Sequence, residues 1–288
     1  MNILVIGGSG FLGSHVCDEL VKEGHNVRVL DLVDSPLLDK EHEMIKGDFL
    51  DEKILKEAVK GCNIVYNFAG QSDLNYTLDK PIETVIMNVL GNVKVLEMCL
   101  LEGVDRYIYA STLYVFSREG GFYRCSKQSA EHYIEEYKRT YNLDYTILRF
   151  GSLYGPRSDN RNGMWNIVKS AIENNVLEYV GDGEAIRDYI HVGDAARSSV
   201  DILRKDFCNQ HVLITGQQPI KIIDLLKMLG EILGLPNSSI KFNEADYEGH
   251  YSRTPYAYQP KLGLKYNPPM HVDLGQGLLQ LIEEINNN

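Results

Sequence analysis

Tyr123 and Lys127 stand four residues apart in the segment Tyr123-Arg124-Cys125-Ser126-Lys127. Tyrosine is a poor base at its reference pKa of about 10, and bringing it to neutrality takes some 3 units, roughly 4 kcal/mol. A lysine ammonium ~4 Å away supplies about that much at an effective dielectric of about 20. Such a pair could take a proton from a substrate hydroxyl, provided both residues share one helix face, as i and i+4 do. Chance alone supplies about one such spacing in a chain with 18 tyrosines, and Tyr76 and Lys80 form a second. Pro81 disqualifies that one, because it pushes Lys80 out of helical geometry. Upstream, Ala110-Ser111-Thr112 closes an apolar run. Taken singly, Thr112 is a strand-end cap; beside Tyr123 and Lys127 its hydroxyl could orient a substrate oxygen.

A second cluster lies in NILVIGGSGFLGSHV at the N-terminus. Gly8, Gly10 and Gly13 fit G-x-G-x-x-G, and Gly7, Gly10 and Gly13 fit G-x-x-G-x-x-G. Glycine costs roughly 0.5–1 kcal/mol in regular structure, so the bare backbone needs a reason. The cluster sits between a strand at 3–6 and a helix at 11–24, and Asp31 ends the next strand about 20 residues later, as in a dinucleotide fingerprint. The glycines let a pyrophosphate approach, and the free N–H groups at the helix start hold its charge. Asp31 would accept from ribose hydroxyls and repel a 2′-phosphate. With no basic residue within two positions of it, NAD is favoured over NADP.

These residues need a scaffold. Apolar runs at 3–6, 27–31, 64–68, 107–110 and 145–150 read as strands, and 11–24, 51–60, 82–102 and 123–141 read as helices with apolar residues three and four apart. The alternation predicts an α/β fold, a doubly wound parallel (Rossmann) sheet covered on both faces. GSLYGPRSDNRNG then reads as a polar loop before a helix at 163–174. A helix at 192–204 and a strand at 211–215 return to the sheet. The tail has helices at 221–234 and 274–286 joined by a Tyr/Pro-rich connection. The expected division is an NAD-binding domain at 1–151 and 190–215 and a smaller C-terminal substrate-binding lobe at 152–189 and 216–288.

Composition narrows the class. The longest apolar stretches run four to six residues, short of the ~20 that cross a bilayer, and the N-terminus has no signal-peptide pattern. Five cysteines without CxxC spacing argue against a disulfide framework or a metal site and for a cytoplasmic protein. A net charge of −11 argues against nucleic acid and anionic membranes as partners.

At these residues the chain resembles the extended short-chain dehydrogenase/reductase family, in its NAD-dependent nucleotide-sugar epimerase/dehydratase branch. The likeness runs from Met1 to about Leu203. It rests on GGSGFLG, VRVLDL, GDF at Gly47–Phe49, NFAG at Asn67–Gly70, Asn88, STLYVF, YRCSK, LRFGSLYGP and RDYIHVGDAA. The resemblance implies that Thr112, Tyr123 and Lys127 are the catalytic set and that Gly7, Gly10, Phe11, Leu12, Gly13, Asp31 and Leu32 hold NAD. It further implies that Asp48 and Phe49 flank the adenine, that Phe68, Ala69 and Gly70 line the cofactor, and that Asn88 lies near the nicotinamide. Arg187 would pair with the diphosphate of a nucleoside-diphosphate sugar, since its fork suits phosphate oxygens. Arg253 would make a second phosphate contact, and Ser72 and Ser152 would also touch substrate. A homodimer, or a larger assembly of dimers, is implied too, with helices 82–102 and 123–141 pairing into a four-helix bundle.

The chain departs from the family pattern in three places. The segment between Thr112 and Tyr123 is short and lacks a proline-bearing lead into the tyrosine. Ser152 stands where galactose-type epimerases carry asparagine. Leu113 and Tyr114 replace the Asp-Glu pair that follows the threonine in 4,6-dehydratases, with Glu119 the nearest acid. The expected activity is NAD-dependent oxidation of the C4 hydroxyl of a GDP- or UDP-linked sugar, as 4-dehydrogenase or 4-epimerase, in bacterial surface-polysaccharide synthesis. A non-catalytic NAD(H) sensor on the same fold is the alternative, and a steroid or flavonoid reductase-like enzyme is a third reading, disfavoured by Asp31 and Arg187.

Overall fold

The computed structural model describes residues 1–38, 42–243, 250, 253–255 and 264–287. The Tyr/Pro-rich connection expected in the tail falls mostly outside them. In chain order the elements are β1 (Asn2–Ile6), α1 (Phe11–Lys22), β2 (Asn26–Asp31), β3 (Glu43–Lys46), α2 (Glu52–Val59), β4 (Ile64–Asn67), α3 (Leu74–Asp79), α4 (Pro81–Val85), α5 (Gly91–Glu102), β5 (Arg106–Thr112), α6 (Gly121–Tyr141) and β6 (Asp144–Phe150). There follow β7 (Ser152–Tyr154), α7 (Gly163–Asn174), β8 (Leu177–Val180), β9 (Ile186–His191), α8 (Val192–Asp201), β10 (Gln210–Ile214), β11 (Pro219–Lys221), α9 (Ile222–Leu233), β12 (Ile240–Asn243), β13 (Leu264–Lys265) and α10 (Leu274–Asn287).

Eight strands form one sheet in the order β13-β10-β6-β5-β4-β1-β2-β3, with every neighbouring pair parallel. The winding reverses between β1 and β4, and the loops after those two strands open the crevice where such sheets bind ligands. Both faces of the sheet are buried. Ile3 and Val5 pack with Val16, Leu20, Ala195 and Ala196 of α1 and α8, while Leu4 and Ile6 pack with Leu55, Val95, Leu96 and Ile134 of α2, α5 and α6. Hence the run Ile3-Leu4-Val5-Ile6 has no polar face. A third core joins Met164, Val168, Leu225, Leu229, Leu278 and Leu281 of α7, α9 and α10. Small sheets β11-β9-β7 and β12-β8 edge it.

Two features differ from the sequence expectation. The edge strand β3 and the strands of the small sheets were not foreseen: β3, β7, β8, β11 and β12 have only three or four residues, and β9 interrupts its apolar residues with Arg187, Asp188 and His191. The helix expected at 82–102 starts at Pro81, whose missing N–H costs nothing at a first helical position, and between α4 and α5 it passes through a π turn, Ile86–Leu90. Lys80 sits at φ −126°, ψ 58°, so Tyr76 and Lys80 do not share a helix face. The composite helix Pro81–Glu102, at 22 residues with an 18-residue stretch of mean hydropathy 1.5, is the one helix among the described residues long and apolar enough to cross a membrane, but 44% of that stretch is buried within the fold.

Candidate active site

The crevice is a cleft of about 580 Å³, within the range of small-molecule sites. Its floor is the glycine turn between β1 and α1. A Cβ on Gly7 (φ +79°) would lie 2.7 Å from Ala69 N, and one on Gly13 would lie 2.2 Å from Gly7 O. The glycines therefore let α1 start against the end of β1 and let the loop after β4 close over it. Gly10 caps α1 with no side-chain hydrogen bond, and the first turn carries no acidic residue. The positive end of the helix is thus left for an anion. Asp31, at the end of β2, accepts from Ser9 N (3.0 Å) and Val33 N (3.3 Å), which fixes its carboxylate at the cleft edge. An uncapped helix start, a glycine floor that any side chain would fill, and a carboxylate at the end of the neighbouring strand fit a dinucleotide.

The other wall comes from β5 and α6. Gly120 (φ +89°) and Gly121 (φ +49°) turn the chain into α6, and a Cβ on Gly120 would strike the Tyr114 ring at 2.6 Å. Tyr123 and Lys127 lie one turn apart on α6, and Tyr123, Lys127 and Thr112 all line the cleft. Lys127 Nζ donates to Ala110 O (2.7 Å) and stands 4.5 Å from the Tyr109 ring centroid and 5.9 Å from that of Tyr123. Burial lowers the Lys127 pKa to about 7, with the Glu131 carboxylate opposing the shift. Thr112 does cap the short 3₁₀ turn Leu113–Phe116, its hydroxyl accepting from Tyr114 N (3.3 Å), while also facing the cleft. Tyr114 packs edge-on to Tyr123 at 6.1 Å and its hydroxyl meets His250 Nδ1 at 2.5 Å.

Of the expected site residues, Gly7, Gly10, Phe11, Leu12, Gly13, Asp31, Leu32, Phe49, Phe68, Ala69, Gly70, Ser72 and Ser152 line the same cleft as the three catalytic candidates. Four lie outside the lining. Asp48 turns its carboxylate back onto Leu50 N (2.9 Å), leaving Gly47 and Phe49 at the cleft. Asn88 is a buried clamp: it accepts from Gln71 N (2.7 Å) and donates to Gln71 O (2.8 Å) and Ser126 Oγ (2.9 Å). It therefore holds the Gly70–Gln71 loop against α6. Arg187 is 5% exposed on β9, its charge lowering the pKa of His250, though less than burial does. Arg253 bridges to Ile186 beside it. The cleft also takes in Tyr114, marked in the sequence only as a departure after the threonine, and Ser9, Gln71, Asp159, Arg161 and Asn162, none of them foreseen. The last three sit in the polar loop at 151–163, whose composition gave a loop but no role. Arg161 and Asp159 pair there at 2.6 Å.

Sheet topology and the Tyr123–Lys127 pair together make this a dinucleotide-dependent enzyme of the short-chain dehydrogenase/reductase class. Within that class the chain belongs to the NAD dependent epimerase/dehydratase family, which matches residues 3–214, and its cofactor is NAD. It is 27% identical to a putative UDP-glucose 4-epimerase of Methanocaldococcus jannaschii, over 99% of each chain. Among solved structures it resembles a UDP-glucose 4-epimerase of Thermotoga maritima bound to UDP-glucose, at TM-score 0.88 and 27% identity, covering 100% of this chain and 99% of that one. It is equally close in fold to a dTDP-glucose 4,6-dehydratase of Streptomyces venezuelae with NAD bound, at TM-score 0.88 and 26% identity, covering 100% and 98%.

Proposed function

We propose that the protein interconverts nucleoside-diphosphate sugars at C4, as a 4-epimerase of a UDP- or GDP-linked sugar, with release of the 4-ketosugar as the second outcome the same site permits. The observation that carries this reading is the placement of Thr112, Tyr123 and Lys127 on one wall of the cleft whose floor is the glycine turn. Bound NAD supplies a reversible hydride acceptor for the sugar carbon. Tyr123 takes and returns the hydroxyl proton, Lys127 stabilises its phenolate, and Thr112 holds the oxygen in line. Residues 1–151 and 190–215 hold the cofactor in this reading, and 152–189 and 216–288 hold the nucleotide sugar, with Arg187 and Arg253 toward its diphosphate and Ser72 and Ser152 toward the sugar. The UDP-sugar enzymes among its relatives support the substrate class. Bacterial surface-polysaccharide synthesis and a cytoplasmic location suit such a substrate.

Dehydration is disfavoured, because eliminating water across C5–C6 needs an acid and a base beside the threonine. Leu113 is fully buried. Glu119 is absent from the cleft lining, and the Ser117 hydroxyl that donates to it holds its carboxyl below the usual range. Product mass after incubation with UDP- and GDP-sugars tests this: unchanged mass marks epimerisation, a loss of about 2 Da the ketosugar. A loss of about 18 Da would refute the reading of Leu113 and Tyr114. Tyr123→Phe should abolish either reaction and leave NAD bound. We also infer a homodimer formed by α4, α5 and α6, since Ile82 (75% exposed), Val85, Ile86 and Leu90 stand bare with Phe122, Tyr133 and Tyr141. A monomeric mass by light scattering would exclude it.

A further inference from the structure

Catalysis asks Lys127 to be a cation where its surroundings resist one. The side chain is 5% exposed. From β5 it meets the Ala110 carbonyl and the Tyr109 ring, from α6 the Tyr123 ring, and from the loop after β4 the uncharged Gly70, while the Glu131 carboxylate one turn on along α6 acts on it through its charge. Complete burial keeps the Tyr109 phenol un-ionised, so β5 offers dipoles and a ring face but no counter-charge.

Glu131 lies one turn beyond Lys127 on α6, in a buried trio with Ser111 and Arg149. Ser111 Oγ donates to Glu131 Oε1 (2.5 Å), as does Arg149 Nε (3.0 Å), while Arg149 Nη2 donates to Oε2 (2.6 Å). The three are 4–5% and 3% exposed. Ser111 and Arg149 are direct partners across the β5–β6 ladder. Ser111 also stands between Ala110, whose carbonyl holds Lys127, and Thr112. Arg149 further lays its guanidinium 4.5 Å over Phe116, in the 3₁₀ turn that follows Thr112. One ion pair thus ties together the helix, the strand end and the turn that carry the reacting groups.

We propose that Glu131 is a positioning residue of this site, keeping Lys127 an ammonium at the buried end of the cleft wall and fixing, through Ser111, the strand end that presents Thr112. Its carboxylate is the charge that opposes burial at Lys127, and Arg149 pairs with it from the side of β6. The purpose of this charge rests on the catalytic reading of Lys127 given above; its measurement does not.

Competitive acylation of Lys127 in the NAD-retaining protein, followed by peptide mass spectrometry between about pH 5 and pH 10, reads the ammonium midpoint without turnover. Glu131→Gln should move that midpoint down from about 7 by about one unit, a tenfold loss of ammonium at the upper limb. The Glu131→Gln/Arg149→Met protein, which removes both members of the buried ion pair together, should show the same fall and decides the matter if the single variant does not fold. Arg149→Met alone keeps the carboxylate and should not lower the midpoint. An unmoved midpoint in the proteins lacking the Glu131 carboxylate overturns the proposal, and so does an equal fall in all three, which would mean only a loosened pocket. Turnover retained by Lys127→Met would instead remove the catalytic reading and leave these midpoints as they are.

Discussion

A single methyl group added at Gly10 or at Gly13 should separate two demands that the glycine turn meets at once. At Gly13 the new Cβ would lie 2.2 Å from Gly7 O and 2.9 Å from Gly8 Cα, both backbone atoms with no rotamer to yield. Ordinary contact begins near 3.4 Å, so the start of α1 must withdraw from β1 by roughly 1 Å, an overpacking that costs about 1–3 kcal/mol. For a chain of this size each kcal/mol is worth about 2–4 °C in Tm. The withdrawn N–H groups also leave the pyrophosphate, and a lost charge-assisted hydrogen bond costs about 1.5–3 kcal/mol, so NAD should weaken by at least about tenfold. At Gly10 the Cβ meets only Gly7 O, at 3.2 Å, and the backbone there is extended, with φ −77°. Gly10→Ala should therefore keep Tm within about 2 °C while its methyl group enters the cradle and weakens NAD by about tenfold or more. Thermal denaturation without ligand and calorimetric titration with NAD, run on both variants, give the four numbers needed. Equal Tm losses in the two, or wild-type NAD affinity in Gly10→Ala, would refute the assignment of floor to Gly13 and cradle to Gly10.

Asp31 sits in ladder register with Lys46 of β3, so Asp31→Ala both removes the repulsion of a 2′-phosphate and leaves a cation beside its position; calorimetry should show the NAD preference over NADP narrowed or reversed. Asn88→Ala leaves the backbone N–H and C=O of Gln71 without their buried partner, and urea denaturation should report a loss of about 2–4 kcal/mol, with NAD weakened as the Gly70–Gln71 loop loosens. Arg187→Ala should weaken a UDP- or GDP-sugar by about 1.5–3 kcal/mol and leave NAD titration unchanged; equal losses for both ligands would make Arg187 a structural residue.

The cofactor side of this protein was legible because its requirements are local. A glycine floor, the strand before it and the acid that ends β2 all fall within 31 consecutive residues, and their spacing is dictated by one βα turn and one crossover. The Tyr123–Lys127 spacing was equally local, and Pro81 sufficed to set Tyr76 and Lys80 aside. The substrate side was less legible. Arg161, Asp159 and Asn162 reach the cleft only because the loop after β7 folds back over it, a tertiary outcome that polar composition does not encode. Asn88 was expected near the cofactor, and its type was informative. Its direction was not, since that follows from the π turn, which no apolar period announces. Nothing in the apolar spacing of helix 123–141 singles out Glu131, whose partner Arg149 comes 18 residues on, opposite Ser111 in the folded sheet.

The π turn at Ile86–Leu90 has a consequence for how this helix can change over evolutionary time. A π turn is an α-helix carrying one surplus residue, which rotates everything beyond it by about 100° relative to an unbroken helix. The outward residues Ile82 and Val85 of α4 and the inward residues Val95, Leu96 and Cys99 of α5 are therefore out of phase with a single stripe. Substitutions on the outer stretch can be selected without repacking the inner one. Deleting one residue from the turn would restore a regular hydrogen-bond ladder and bring the two stretches back into phase. The same deletion would swing Asn88 off Gln71 and Ser126, so the irregular helix is the heritable form that keeps the clamp in place.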